Sequence, residues 1–328
     1  MSLSTAKTII SNIAKGEYKR VQIEFFGGEP LLQFKLIKEV CEWAWATYPQ
    51  KFSYFVSTNG TLLKDDVLEW FIRHKDLIRI GLSYDGTPQM NQTNRGMVLN
   101  ENLFHLCCEL WPKQSVKATI SRQTLPTMAE GIIYLHKLGF KVNAELATGI
   151  DYLDEDYNLF ERELGKLLSF YKENLDIEPF ENLKCSLAPI LYDEMQEAYC
   201  GAGETTIAYD VDGKEYPCHM FIPISSGVVK SYNRKEIRED KSFYDDQDCK
   251  DCVVRNICIR CSASNLIDRG HIGCRNKKRC RFFIIERIYS AKFKIYRAMN
   301  KNIDSVSEDD YLEVKAAMKL LQHYNIKP

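Results

Sequence analysis

The 328-residue chain lacks several features that would narrow its class at once. No apolar run reaches the about 18 residues that a membrane-spanning helix needs. The first fifteen or so residues, Met1 to Lys15, show neither a charged-then-apolar signal pattern nor a small-residue cleavage site. Charge of one sign is not in excess, since 44 Lys and Arg face 45 Asp and Glu for a net charge of −1. No basic face therefore argues for nucleic acid as a partner, and the local run Lys277-Lys278-Arg279 reads as a solvated turn. Internal repeats and low-complexity tracts are missing too. The expectation is a cytoplasmic protein with neither a nucleic-acid nor a membrane partner. In that compartment thiols stay reduced, so the 12 cysteines are not a disulfide framework. Metal ligation explains them better, because Cys200, Cys218, Cys249, Cys252, Cys258, Cys261, Cys274 and Cys280 crowd one segment, whereas Cys41, Cys107 and Cys108 are scattered among apolar neighbours.

From residue 21 to about 150, short β-branched or aromatic runs alternate with amphipathic stretches of helical length, the pattern of parallel βα units. The expected strands are Val21–Phe26, Ser53–Ser57, Ile78–Ser83, Val116–Ser121 and Lys141–Leu146, with helices over Leu32–Thr47, Lys64–His74 and Thr127–Leu138. The first three strands end in Gly27-Gly28-Glu29-Pro30, Thr58-Asn59-Gly60 and Tyr84-Asp85-Gly86, and the fourth ends at Ser121-Arg122. In a parallel βα array all carboxyl ends lie on one face, where loops build the site. Any one of these turns is a common use of Gly and Asn at positive φ; four polar strand ends in series point to a rim. The acidic stretch Asp151 to Asp156 and a helix from Leu159 to about Asn174 follow as a linker and bridging helix.

The cysteine segment has two blocks. One runs Cys200-Gly-Ala-Gly to Asp-Gly213-Lys-Glu-Tyr-Pro-Cys218; the other is Cys249-x2-Cys252-x5-Cys258-x2-Cys261, followed by Cys274 and Cys280. A C-x2-C pair puts two thiolates on one tight turn, which suits zinc and iron–sulfur equally. The residues alone leave the metal open between two four-thiolate clusters and two zinc sites. Because long apolar runs are scarce here, metal is expected to hold this part folded.

Taken in order, Gly27-Gly28-Glu29-Pro30, Thr58-Asn59-Gly60, Ser83-Tyr84-Asp85-Gly86 and the cysteine blocks resemble the radical S-adenosylmethionine enzymes that carry a C-terminal SPASM domain, such as peptide maturases and anaerobic sulfatase maturases. The resemblance implies an α/β fold, a partial (β/α)6 TIM-like barrel, followed by a small Cys-rich iron–sulfur domain. It implies that Gly27, Gly28 and Glu29 receive the methionine amino group of S-adenosylmethionine, that Ser83 and Asp85 sit near the ribose, and that Asn59 and Ser121 share the rim. It gives Cys200, Cys218 and Cys261 to a first auxiliary [4Fe–4S] cluster, with Cys185 as the nearest fourth ligand or an open iron in its place. Cys249, Cys252, Cys258 and Cys280 go to a second, with Cys274 competing for the place of Cys280. His219, next to Cys218, stands where sulfatase-maturing members have an Asp that looks like a general base; it either takes a proton or caps its own segment.

The chain departs from the family at two points. The x2 spacing before Cys261 is usually x3. More importantly, the family holds its catalytic cluster with C-x3-C-x2-C ahead of the Gly-Gly-Glu-Pro strand, and here no cysteine precedes Cys41. The expectation is an N-terminally truncated, inactive fragment, with a degenerate relative as the other reading. The implied full-length activity is peptide or protein modification by hydrogen abstraction, such as thioether cross-linking or residue oxidation. It would be anaerobic and driven by an electron donor such as a flavodoxin or ferredoxin. The rival classes are a noncatalytic iron–sulfur binding or electron-transfer protein and a zinc-stabilised binding protein. The expected domains are a barrel over 1–150, a linker and bridging helix over 151–184, the cluster domain over 185–300 and a charged tail over 301–328.

Overall fold

The structure is a computed structural model that describes residues 1–18, 20–192, 200–227, 232–239, 247–259, 261–300 and 307–327. The chain divides into two compact units that interleave along the sequence. The first comprises Met1–Thr119, Tyr134–Asn143 and Ala208–Glu215; the second comprises Ile120–Ile133, Ala144–Ile207 and Tyr216–Pro328.

The β/α alternation expected from the sequence is present. Helix α1 (Leu3–Ala14) precedes β1 (Val21–Phe25), α2 (Phe34–Thr47), β2 (Phe52–Thr58), α3 (Asp65–Arg73) and β3 (Ile78–Leu82). Next come α4 (Pro88–Arg95), α5 (Glu101–Leu110), β4 (Ser115–Ile120), α6 (Met128–Lys137) and β5 (Lys141–Leu146). Strands β1, β2 and β3 form a parallel sheet in that order, with Val21 opposite Phe52 and Tyr54 opposite Ile78. A parallel bridge between Ser83 and Lys117 leads from the end of β3 to β4, which pairs with β5. This is the β/α succession of a partial TIM-like barrel.

The first unit is held by apolar faces at the expected periods. Along β2, Phe52, Tyr54, Val56 and Thr58 are buried while the intervening residues are less covered, the two-residue period of a strand. Helices α2 and α3 meet in an aromatic cluster in which the Trp45 and Trp70 rings stack at 5.6 Å and Phe34 meets Trp70 edge-on at 5.6 Å. Trp70 Nε1 donates to Glu42 Oε1 at 3.1 Å, so the buried indole keeps a polar partner. Cys41 and Cys107 are buried in α2 and α5, where burial pushes both thiols up, Cys107 to about 12. They behave as small core residues.

The second unit is built on long helices, with short ones between them: α8 (Glu181–Lys184), α9 (Pro223–Ser226), α10 (Arg234–Glu239), α11 (Gln247–Lys250) and α12 (Ser262–Arg269). Its α7 (Asp154–Glu173) starts inside the acidic stretch that reads as a linker in the sequence. The reason is local: Asp154, Glu155 and Asp156 occupy the first turn, where the helix dipole favours negative charge, and Asp156 Oδ2 accepts the backbone N–H of Leu153 at 2.7 Å. The helix α13 (Lys277–Met299) carries Phe282, whose ring meets those of Tyr152, Tyr157 and Phe160 at 4.6 to 5.2 Å. Of the segment read as a charged tail, 301–306 lie outside the described residues, and α14 (Glu308–His323) follows. Ser307 and Asp310 cap it reciprocally, and Ala316, Ala317, Leu320 and Leu321 are buried with Ile288, Ala291 and Ile295 of α13. The cysteine segment has an apolar core of its own, Tyr216, Phe221, Tyr232, Ala263, Leu266 and Ile272, against which Cys218 and Cys261 pack. Scarcity of long apolar runs did not reveal this core, because its members come from short, separate stretches.

Candidate functional site

In the first unit the strand ends are tied to one another by polar bonds. Glu29 caps a 3-10 turn (Pro30–Gln33), where Pro30 occupies a position whose missing N–H costs nothing. The Glu29 carboxylate accepts from Leu31 N at 3.0 Å, Thr58 Oγ1 at 2.7 Å and Asn59 N at 2.8 Å. It therefore joins the end of β1 to the end of β2. Thr58 O in turn accepts Ser83 N at 2.8 Å, joining β2 to β3. Asp85 completes the series. Its side chain is 2% exposed, takes a bidentate ion pair from Arg95 at 2.7 and 2.9 Å, and accepts Thr119 N of β4 at 2.8 Å.

This arrangement brings together Glu29, Asn59, Ser83 and Asp85, as the sequence predicts, and gives them unequal freedom. Asp85 faces Arg95 and the backbone of β4, so its charge is taken up inside the protein. The Asn59 side chain accepts from Thr61 N and Thr61 Oγ1 at 2.9 and 2.7 Å, which closes a turn that Gly60 completes at φ +82°. At that φ an L side chain is strained, and a Cβ would also meet Leu99 at 2.8 Å. Gly27 and Gly28 differ from Gly60. Both are exposed, a Cβ at either meets nothing within 4 Å, and neither has positive φ. Nothing in the protein's own packing requires glycine at these two positions. Among the described residues the Ser83 hydroxyl makes no hydrogen bond. Ser121, in the second unit, closes a turn with Thr124: each backbone N–H bonds the other residue's hydroxyl, at 3.0 and 3.2 Å.

The cysteines of the second unit fall into two neighbourhoods. The Cys218 thiol is pushed up to about 11, chiefly by burial, with the charges of Cys261 and Cys200 adding to the effect. The Cys280 thiol is also pushed up to about 11 by burial; Arg275 opposes the shift and Cys258, Cys249 and Cys252 reinforce it. Arg275 donates to Cys249 Sγ at 3.1 Å and to Cys258 Sγ at 2.6 Å. Cys200 and Cys261 thus lie near enough to Cys218 for their charges to act on it, and Cys249, Cys252, Cys258 and Cys280 lie around Arg275. Cys185 donates to Ser186 O, and Cys274 is exposed. His219 begins a 3-10 turn, His219–Phe221, directly after Cys218.

Among the described residues, no three His, Cys, Asp or Glu side chains converge tightly enough to hold one metal ion. A cubane cluster asks for something different, thiolates spread around four irons rather than aimed at one atom. The donor set around Arg275 fits that requirement in kind and number, and the Cys200, Cys218 and Cys261 set supplies three of four. A cavity of about 440 Å³ lies elsewhere, lined by Ser186, Tyr192, Asp309 and Glu313 among others; none of the expected ligands lines it. Sequence reasoning missed Arg95 and Arg275. Arg95 lies one helix away from its partner and carries no motif, whereas Arg275 could have been noticed as a cation set between Cys274 and Cys280.

The fold and the order of strand-end and cysteine motifs define a chain that resembles radical S-adenosylmethionine enzymes acting on peptides. Comparison with known proteins bears this out. The chain is 27% identical over 189 residues to the radical SAM cyclopropyl synthase TigE of Paramaledivibacter caminithermalis, a match covering 53% of this chain and 34% of that protein. It is 27% identical over 150 residues to an uncharacterized protein of Methanocaldococcus jannaschii, covering 43% of this chain and 51% of that one. The matches thus span about a third of TigE and about half of the Methanocaldococcus protein. In fold it is similar to anSMEcpe with bound AdoMet, with a TM-score of 0.66 at 16% identity, covering 96% of this chain and 90% of the other. It is similar also to SuiB of Streptococcus suis bound to S-adenosylmethionine, with a TM-score of 0.56 at 18% identity, covering 84% and 68%. No protein-family model matches the chain.

Proposed function

We propose that this chain is the S-adenosylmethionine rim and auxiliary-cluster portion of a radical enzyme that modifies a peptide or protein. The observation that supports the reading most is Arg275 donating to Cys249 Sγ and Cys258 Sγ, with Cys252 and Cys280 near them; Cys200 and Cys261 lie near Cys218 as a second group. Each set would hold one auxiliary [4Fe–4S] cluster, which binds substrate or accepts an electron from it. The relatives support a peptide substrate, since anSMEcpe was solved with the Cp18Cys peptide and SuiB with the precursor peptide SuiA.

On the rim, Gly27 and Gly28 are exposed, and among the described residues no backbone N–H outside the helices and strands donates to their carbonyls; acceptors at a strand end suit an ammonium such as that of the methionine moiety. Glu29 has acceptor capacity left on Oε2, so it can contribute while still tying β1 to β2. Ser83 offers a free hydroxyl for the ribose; Asp85 and Asn59 shape the rim from within. His219, beside Cys218, is the candidate to take a substrate proton near neutral pH.

Reductive cleavage of S-adenosylmethionine needs a cluster bound by C-x3-C-x2-C, and the sequence given holds none. Two measurements test the reading. Anaerobic reconstitution should give a brown protein with about eight irons, two cubanes' worth; a colourless protein holding two zincs would remove it in favour of a structural zinc module. With S-adenosylmethionine and dithionite, this chain should form no 5′-deoxyadenosine, and turnover by it alone would contradict the assignment of its clusters as auxiliary.

A further inference from the structure

Arg275 presents a guanidinium to a set of thiols, an uncommon place for a cation unless something negative belongs there. It donates to Cys249 Sγ and Cys258 Sγ, and Cys280 also lies within reach of its charge. Its position is built from the residues that follow it. The next residue, Asn276, caps α13 through Lys278 N at 3.1 Å and donates to Asp268 Oδ2 at 3.1 Å, while Asp268 also receives Arg279 at 3.0 Å. The Asp268 side chain is only 5% exposed. Lys277, two residues on from Arg275, forms an exposed ion pair with Asp248 of the short helix α11 (Gln247–Lys250), which carries Cys249. The backbone that follows Arg275 is thus held through Asn276, and the fork is aimed at sulfur.

We propose that Arg275 is a positioning residue for the cluster of Cys249, Cys252, Cys258 and Cys280, holding the thiolates together before loading and raising the reduction potential of the cluster afterwards. The inference rests on the proposed function above. Reduction adds one electron to the cluster, supplied in the test by dithionite, and no bond to the protein forms or breaks. The added negative charge is stabilised by the fixed guanidinium through hydrogen bonds to the ligand sulfurs, one of the main levers on cluster potential. Charge-assisted hydrogen bonds are roughly twice as strong as neutral ones, and the fork geometry is lost in lysine.

The experiment compares the wild-type chain with Arg275→Gln and Arg275→Lys, each reconstituted anaerobically, by iron analysis and a dithionite titration followed in the visible and by electron paramagnetic resonance. In Arg275→Gln, one of two reductive waves should fall about tenfold in its reduced-to-oxidised ratio at fixed potential, equivalent to about 59 mV for one electron. The other wave should stay in place, and Arg275→Lys should shift less. Loss of one cluster in Arg275→Gln with recovery in Arg275→Lys also supports the assignment. Two unmoved waves, equal movement of both, or equal failure to load in the two variants would overturn it. A wild-type chain that takes up no iron refutes the proposed function first, so the two failures are told apart.

Discussion

Replacing Asp85 by Asn separates two roles for the strand-end acid, a contact to bound S-adenosylmethionine and an internal staple. The side chain is 2% exposed and accepts three hydrogen bonds, two from Arg95 and one from Thr119 N. Asn keeps one acceptor, which in the place of Oδ1 serves Thr119 N and one Arg95 N–H, but it removes the charge and turns an amide N–H₂ toward Arg95 Nε, so there a donor faces a donor. Breaking a buried pair by neutralising one partner costs about 3–5 kcal/mol. The Arg95 side chain is 26% exposed and can turn toward water, which places the expected loss at the low end, about 3 kcal/mol, or roughly a hundredfold in the folded-to-unfolded ratio. Urea unfolding without any S-adenosylmethionine is the assay. Arg95→Met should cost a similar amount, because it leaves the buried Asp85 with Thr119 alone, and the double variant should fall short of the sum by about 2 kcal/mol. An Asp85→Asn protein that unfolds within about 0.5 kcal/mol of wild type, with only its affinity for S-adenosylmethionine reduced, would refute the staple.

Two further outcomes follow from buried groups. His136 is 8% exposed with Nδ1 at 3.1 Å from Phe140 O, and burial lowers its pKa below the ordinary 6.5 despite that bond. The unfolded chain then binds the proton more readily, so this contribution to stability is complete above pH 6.5 and is lost as pH falls toward the folded value; His136→Gln should flatten that slope in denaturant melts taken between pH 7 and 5. Phe282→Ala removes a 3%-exposed ring from between Tyr152, Tyr157 and Phe160 and should cost about 3–5 kcal/mol in urea, whereas Phe282→Leu should cost markedly less; equal costs would mean that the site collapses onto the cavity.

The sequence made the strands legible because their signal is local. The two-residue period of Phe52 to Thr58 and the polar residues that stop each strand both lie within one element. The helices α4, α5 and α14 were missed for different reasons. Helix α4 has Pro88 at its start and a single large apolar residue, Met90, before Arg95, so its apolar face is nearly absent. Helix α14 was hidden by its acidic first turn, Glu308 to Asp310, which reads as tail but is the charge a helix N-terminus favours. The grouping of the cysteines came from the family resemblance and not from C-x2-C spacing, which would have put Cys258 and Cys261 together. The partners of the rim acids were not legible, because Glu29 meets Asn59 and Asp85 meets Arg95 and Thr119 only after the strands align.

That last difference changes how the rim works. The motif directs attention to its carboxylates as ligand-binding groups, yet Glu29 and Asp85 are the residues most heavily engaged by the protein itself: one ties β1 to β2, the other ties β3 to β4. What remains open to a ligand is the exposed backbone of Gly27 and Gly28 and the hydroxyl of Ser83. A ligand of one size and charge pattern is bound best by acceptors already fixed in place, because ordering loops at the moment of binding costs affinity. The half-buried Glu29 and the buried Asp85 supply that order beforehand. Under the proposed function, recognition at this rim rests on backbone geometry, and substitutions at Glu29 or Asp85 should act on it by loosening the strand ends as much as by removing a charge.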